Sequence, residues 1–225
     1  NKDRRMTFAG RLQATARLLQ RNDVDAASWS VRSPTVAFPE RQWSPQQKQL
    51  LDTVDALLLQ DDANGYNSNA RNIFVTGCPG TGKTEVLIEC ALRAARSGAK
   101  VLIACPTALL QDTYHMRMPY HENITVETVH STFRITRDAD EQYVPPGRLR
   151  HFDVIIFDEI STLDGDVWRK VKTALSELCP TPIAIWAGDF SQLQSVTKET
   201  TMQDDILREV AAGHLRRVEL LQHAF

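Results

Sequence analysis

Apolar residues in this chain follow two rhythms that take turns along its length. In the segment "WSPQQKQLLDTVDALLL", Leu50, Leu51, Val54, Leu57 and Leu58 recur at helical spacing, so one face of a helix should meet a core. The start of that helix is marked as well. Ser44 is a good N-cap, Pro45 suits the first helical position, and Gln47 stands three residues after the cap, the capping-box spacing. From residue 72 onward, short continuous apolar runs alternate with amphipathic stretches. "NIFVTG", "KVLIAC", "ITVETV", "FDVIIFDE", "PIAIWAGD" and "RRVELLQ" read as strands. Helices are expected over residues 82–97, after "KVLIAC", over "DVWRKVKTALSEL" and over "MQDDILREVAAGH". Strands that are apolar throughout cannot keep one face in water. They predict an α/β fold, a parallel sheet with helices on both faces.

The first part of the chain breaks this rhythm. Residues 1–28 are charged, with Leu12, Ala16 and Leu19 on one helical face and Arg4, Arg5, Arg11, Arg17 and Arg21 elsewhere. A solvated helix fits them better than a basic DNA- or organelle-directed segment. Pro34 and Pro39 make residues 30–42 an extended linker. The expected organisation is a helical segment and linker over 1–42 and one α/β domain over 43–225, with a polar loop at 60–71.

Composition narrows the field. A chain of 225 residues with 42% hydrophobic content supports one sizeable core. The 26 basic and 28 acidic residues give a formal charge of −2. That balance excludes a global positive field, so any nucleic-acid contact must come from a local cleft. Cys78, Cys90, Cys105 and Cys179 lie far apart and at no zinc-binding spacing. They are expected to be reduced thiols of an intracellular protein. No apolar run approaches the length of a membrane span. Beginning at Asn1 rather than Met is what an excerpt would show, so missing targeting signals carry little weight.

Three motifs carry chemistry. The first is "GCPGTGKT", comprising Gly77, Cys78, Pro79, Gly80, Thr81, Gly82, Lys83 and Thr84, set between an expected strand and an expected helix. Glycines let successive backbone N–H groups turn inward around an anion, and the helix N-terminus adds its positive end. In such a loop Lys83 reaches the outer phosphates and the Thr84 hydroxyl ligates Mg²⁺. The second is "VIIFDEIS", whose apolar run delivers Asp158 to a strand end, where α/β sheets collect their ligands. Asp158 is placed to hold Mg²⁺ through water, and Glu159 to orient and deprotonate an attacking water. A base for water suits a hydrolase better than a small-molecule kinase. The third is "AIWAGDFSQLQSV", where Gln192 follows Gly188 and Asp189 and could sense the terminal phosphate. No N-K-x-D guanine-reading motif follows the loop, which disfavours a regulatory GTPase.

In order along the chain stand "SPQQ", "GCPGTGKT", "VLIACPTALL", "TVHSTF", "VIIFDEISTLDGDVWRKV" and "AIWAGDFSQLQ". Over about residues 43–225 this set resembles the first motor domain of a superfamily-one DNA helicase of the PIF/RecD-like type, a RecA-like P-loop NTPase domain. The resemblance implies hydrolysis of ATP with Mg²⁺, movement five-prime to three-prime on single-stranded DNA, and work in DNA repair, recombination or telomere and genome maintenance. Gln47 matches the glutamine that contacts adenine, beside its capping role. Pro106 and Thr107 match a loop that touches the DNA backbone. His130, Ser131 and Phe133 match the next DNA-facing motif, in which Phe133 stacks on a base and His130 meets the backbone, with core packing the competing role for Phe133. Gln192 matches the phosphate-sensing glutamine. Two positions depart from the pattern: Ala108 replaces a usual glycine, and Gln194 and Ser195 replace paired prolines.

Two other functions compete. A P-loop ATPase that remodels protein would keep the first two motifs, but "TVHSTF" and "GDFSQL" argue against it. An idle DNA-binding or scaffold protein is opposed by intact Lys83, Asp158 and Glu159. The resemblance also implies a second motor domain of the same chain beyond Phe225, supplying arginines to the ATP cleft. Without it, weak Mg-ATP binding, very slow hydrolysis and no unwinding are expected. An intracellular location is expected, nuclear or mitochondrial in a eukaryote.

Overall fold

The computed structural model describes residues 42–60, 71–136, 143–189 and 202–221. The expected N-terminal segment lies outside these residues, as does Gln192.

Helix α1 (Pro45–Leu59) begins as the sequence indicates. The Ser44 hydroxyl accepts from the Gln47 N–H, and the Gln47 side chain accepts from the Ser44 N–H. Strand β1 (Asn72–Gly77) leads into α2 (Lys83–Arg96). A Schellman turn closes α2, with Gly98 in the left-handed region at φ 93°. There the Ala99 N–H bonds the Ala94 carbonyl and the Gly98 N–H bonds the Ala95 carbonyl. Next come β2 (Val101–Cys105), α3 (Ala108–Arg117), β3 (Ile124–Thr128) and a short α4 (Val129–Phe133). After a 3₁₀ turn at Gly147–His151 follow β4 (Val154–Phe157), a second 3₁₀ turn at Ile160–Thr162, and α5 (Gly165–Ser176). The described residues finish with β5 (Ile183–Ala187), α6 (Met202–Ala211) and β6 (Arg216–Leu220).

The six strands form one sheet in the order β3-β2-β4-β5-β1-β6, and every pair is parallel. This is the parallel α/β sheet that the pattern predicts and the RecA-like P-loop fold that the resemblance implies. Residues of β2, β4 and β5 are buried without exception, whereas the edge strands β3 and β6 are only partly covered. Alternate residues serve two cores. Ile73, Val75, Ile103, Ile156 and Ile185 pack toward α1 and α2. Phe74, Leu102, Ile155, Phe157 and Trp186 pack toward the face holding Trp168 and Val171 of α5. The second core is aromatic: Phe157 stacks on Trp186 at 4.1 Å, and Trp168 meets Trp186 edge-on at 4.9 Å.

Parallel strands send all their carboxyl ends to one edge. The phosphate loop after β1, Thr107 after β2, α4 after β3, Asp158 after β4 and Gly188 after β5 therefore share that edge. One expected boundary shifts: Val129, read as strand, begins α4, because the Thr128 hydroxyl caps a helical turn by accepting from the Ser131 N–H.

Candidate nucleotide site and nucleic-acid rim

The loop 77–84 is a backbone device. A Cβ on Gly77 would lie 2.6 Å from the Leu220 carbonyl oxygen of β6 and 2.9 Å from Thr81 Oγ1, so no side chain fits there. Gly80 and Gly82 sit at φ 80° and 78°, where glycine alone is unstrained, and they turn the chain into α2. The Thr81 hydroxyl donates to the Cys78 carbonyl at 2.9 Å and ties the loop across its own turn. Lys83 Nζ folds back onto the loop, donating to the carbonyls of Gly77 at 2.5 Å and Cys78 at 3.2 Å. A phosphate in the cradle would take over those bonds. Cys78, Pro79 and Gly80 are exposed at the rim of the loop.

Gln47 joins α1 to this loop. Its Oε1 accepts from the Ser44 N–H and its Nε2 donates to the Thr81 carbonyl at 3.0 Å. Of the two roles considered for Gln47, the structure shows the capping one, with Nε2 bonded in addition to the phosphate loop.

Asp158 is 1% exposed and accepts three hydrogen bonds. The Thr84 hydroxyl donates to Oδ2 at 3.1 Å, the Tyr114 hydroxyl donates to Oδ2 at 2.8 Å, and the Glu159 N–H donates to Oδ1 at 2.9 Å. Burial pushes this carboxyl above its usual range, while Tyr114, Thr84, the Glu159 N–H and the Lys83 charge pull it back. The neighbouring Cys105 thiol is pushed up to about 12, first by burial and then by Asp158 and Glu159, so it stays protonated. Glu159 is exposed and holds a left-handed backbone, φ 51° and ψ 40°, an uncommon state for a residue with a Cβ. Thr162 fastens the turn, its N–H and hydroxyl both donating to the Glu159 carbonyl at 3.0 and 2.8 Å. Gly188 lets that turn come close, since a Cβ there would stand 3.0 Å from Ile160 Cγ1.

Among the described residues, no three His, Cys, Asp or Glu side chains gather as a metal cage. One hydroxyl and one carboxylate beside an anion cradle is the donor set Mg²⁺ takes when phosphates complete its shell. The residues present therefore fit a nucleotide and its metal.

The rim is made differently. Pro106 is half-buried, and Thr107 is exposed and caps α3, its hydroxyl accepting from the Leu110 N–H at 3.3 Å. Ala108 opens that helix. His130 and Ser131 are exposed on α4. Phe133 is not a base-stacking platform: it is fully buried in the aromatic core, its ring 5.8 Å from that of Phe157. The turn of α4 that exposes His130 and Ser131 carries Phe133 inward. Core packing, the competing role, is the one the structure shows.

Two features had no motif to announce them. Tyr114 reads as an ordinary core aromatic in sequence, and only the fold brings its hydroxyl to Asp158. Glu127 accepts from Thr132 Oγ1 at 3.0 Å and from both terminal nitrogens of Arg148, which also reaches the Ser131 carbonyl at 3.5 Å. Burial raises the Glu127 carboxyl, and the bonds from Arg148 and Thr132 outweigh it, leaving the group below its ordinary value. Among the described residues all four cysteines are free, and no helix is long and apolar enough to cross a membrane.

The comparisons with known proteins agree with this geometry. A family model described as AAA domain matches residues 60–198, well over half the chain. The RecBCD enzyme subunit RecD of Buchnera aphidicola subsp. Schizaphis graminum is 26% identical over 148 residues, 58% of this chain and 24% of that protein. The crystal structure of Pif1 helicase from Candida albicans superposes with a TM-score of 0.57 at 22% identity, covering 82% of this chain and 41% of that one. Bacteroides sp. Pif1, solved in complex with ADP-AlF4, gives 0.50 at 22% identity, covering 81% and 43%. The chain thus spans about a quarter of that RecD and under half of each Pif1 chain. By its phosphate loop, its sheet and the family model that matches it, this chain belongs to the AAA domain family and has the fold of a PIF/RecD-like helicase motor domain.

Proposed function

We propose that this chain is the first motor domain of an ATP-dependent DNA helicase that couples Mg-ATP hydrolysis to five-prime to three-prime movement on single-stranded DNA. The observation that carries it is the bond between Thr84 Oγ1 and Asp158 Oδ2. It joins the end of the phosphate loop to the end of β4, and Glu159 follows Asp158 directly at that strand end.

Each residue then has a task. Backbone N–H groups of residues 80–83 and the N-terminus of α2 bind phosphate oxygens. Lys83 leaves the carbonyls of Gly77 and Cys78 and neutralises the outer phosphates. Thr84 would hold Mg²⁺ by its hydroxyl and Asp158 would hold it through water, and the ion when bound would supply charge neutralisation at the phosphate oxygens. Glu159 orients a water and takes its proton, and Gln47 offers its spare N–H to adenine. Gln192 senses the terminal phosphate. Pro106, Thr107, His130 and Ser131 meet the backbone of single-stranded DNA along the same edge of the sheet. That shared edge is the physical route from nucleotide state to DNA grip. A second motor domain closes the other wall of the cleft, and repair, recombination or telomere and genome maintenance are the settings for such a motor.

Two measurements test this. Lys83→Ala in the 225-residue chain should weaken ATP binding by about 2–5 kcal/mol, the cost of truncating one side of a buried charge pair. The wild-type chain extended by a second motor domain should hydrolyse ATP faster when single-stranded DNA is added. Unchanged affinity in the variant would remove the nucleotide assignment. Hydrolysis indifferent to DNA would point to a protein-remodelling ATPase.

A further inference from the structure

We infer that Tyr114 is a positioning residue that holds Asp158 for the metal side of the nucleotide site, an inference that rests on the ATPase reading above. Asp158 projects from the end of β4, and Tyr114 comes from α3 on the α1–α2 face of the sheet. Both are sealed from solvent, Tyr114 at 0% and Asp158 at 1% exposure. Their bond, 2.8 Å from phenol oxygen to Oδ2, is shorter than the 3.1 Å bond from Thr84 to the same oxygen.

The direction of the bond follows from chemistry. An ionised carboxylate only accepts, so the phenol must donate. A phenol carries one O–H, which the 2.8 Å contact places on Oδ2. Core packing alone does not account for this arrangement. A phenylalanine would fill the same apolar site, in the core that also holds Cys90 and Cys105, without bringing a hydroxyl that needs a partner.

What the hydroxyl contributes is orientation and charge. Oδ1 is taken by the Glu159 N–H and Oδ2 by Thr84 and Tyr114. With both oxygens bonded, the carboxylate plane is held, and Tyr114 leaves to Thr84 the other lone pair of Oδ2. The donated O–H also sets positive charge density against the carboxylate. Groups that orient the outer residues of a metal site change metal affinity by about ten- to a hundredfold when removed, and Tyr114 would orient Asp158 in this way. Tyr114 also lies on the helix that Thr107 caps, so the metal-facing carboxylate is tied to an element that begins on the rim.

The test is a Mg²⁺ titration of the 225-residue chain with methylanthraniloyl-ATP, followed by fluorescence, in wild type, Tyr114→Phe and Tyr114→Leu. Tyr114→Phe should raise the Mg²⁺ concentration for half-maximal binding about tenfold or more, while affinity in EDTA stays as in wild type. Tyr114→Leu should show the same Mg²⁺ shift and a further fall in melting temperature from lost packing. A Phe or Leu variant with the wild-type Mg²⁺ titration overturns the inference and leaves Tyr114 a packing residue. A wild-type chain that binds the nucleotide with no Mg²⁺ dependence overturns the inference and the ATPase reading together.

Discussion

The phosphate-loop corner and the Thr107–Ser131 rim occupy one edge of the same sheet, but they are made of different material. The corner is backbone and buried charge. Gly77 and Gly82 stand where a Cβ would strike Leu220 or Gln47, and the corner's carboxylate is dry with three donors on it. The rim is exposed side chains on short elements, Thr107 at a helix cap and His130 and Ser131 on a five-residue turn of helix. Under the rim, Phe133 is buried and Glu127 is clamped by Arg148. On the proposed function, the corner that would hold phosphate and metal is built from backbone and buried charge, while the rim that would meet DNA rests on a few polar groups over an ordinary core.

The sharpest way to break the comparison is to disable the corner chemically and leave its shape. Glu159→Gln, in a chain extended to include a second motor domain, should cut ATP turnover about 10²- to 10⁴-fold, the usual worth of a positioned base. Affinity for ATP should not change, because Glu159 is exposed and its backbone, not its carboxylate, bonds Asp158. Steady-state hydrolysis beside equilibrium binding checks both halves. Wild-type turnover would assign the base to another residue.

Next comes the core beneath the rim. Phe133→Ala should cost about 3–5 kcal/mol of stability, as truncated core aromatics do. For a chain of this size that lowers the melting temperature by several degrees per kcal/mol lost, at about 2–4 °C each. The milder Phe133→Leu should fold and bind single-stranded DNA like wild type, because the ring offers no face to a base. His130→Ala and Ser131→Ala should do the reverse, with DNA affinity falling and melting temperature holding. If Phe133→Leu loses DNA affinity while its melting temperature is unchanged, the buried position does not describe the DNA-bound state.

These outcomes bear on why one region was legible in the sequence and the other was not. The strands were readable because burial on both faces removes polar residues from "VIIF" and "IAIWA", and the capping box of α1 was readable because Ser44, Pro45 and Gln47 act locally. The corner was readable because phosphate binding demands glycines and a lysine at fixed spacing along one stretch of backbone. Val129 was misread since an apolar β-branched residue suits both a strand end and a helix start, and the Thr128 cap decides between them. Phe133 was open to two readings because α4 is one turn long, too short for a helical period to reveal which side faces inward. Tyr114 and Arg148 act across 44 and 21 positions of chain, on Asp158 and Glu127, and neither spacing belongs to a repeating local pattern.

The smallest effect is the one that separates scaffold from site within a single amide. Gln47 serves the helix through Oε1 and the phosphate loop through Nε2. Gln47→Ala deletes both bonds, so stability should fall by about 1 kcal/mol or somewhat more, and the melting temperature by about 2–4 °C for each kcal/mol. Gln47→Glu keeps the acceptor for the Ser44 N–H and adds a charge favourable near a helix N-terminus, so the melting temperature should stay near wild type. It cannot donate to the Thr81 carbonyl or to a base, and its charge faces the loop that receives phosphate. ATP affinity should therefore fall in Gln47→Glu despite an intact helix, and any preference for ATP over GTP should shrink in both variants. Calorimetric binding of the two nucleotides beside thermal melts distinguishes the cases. If Gln47→Glu binds ATP as wild type does, Gln47 is a helix cap that happens to touch the loop, and the boundary of the nucleotide corner stops at Gly77.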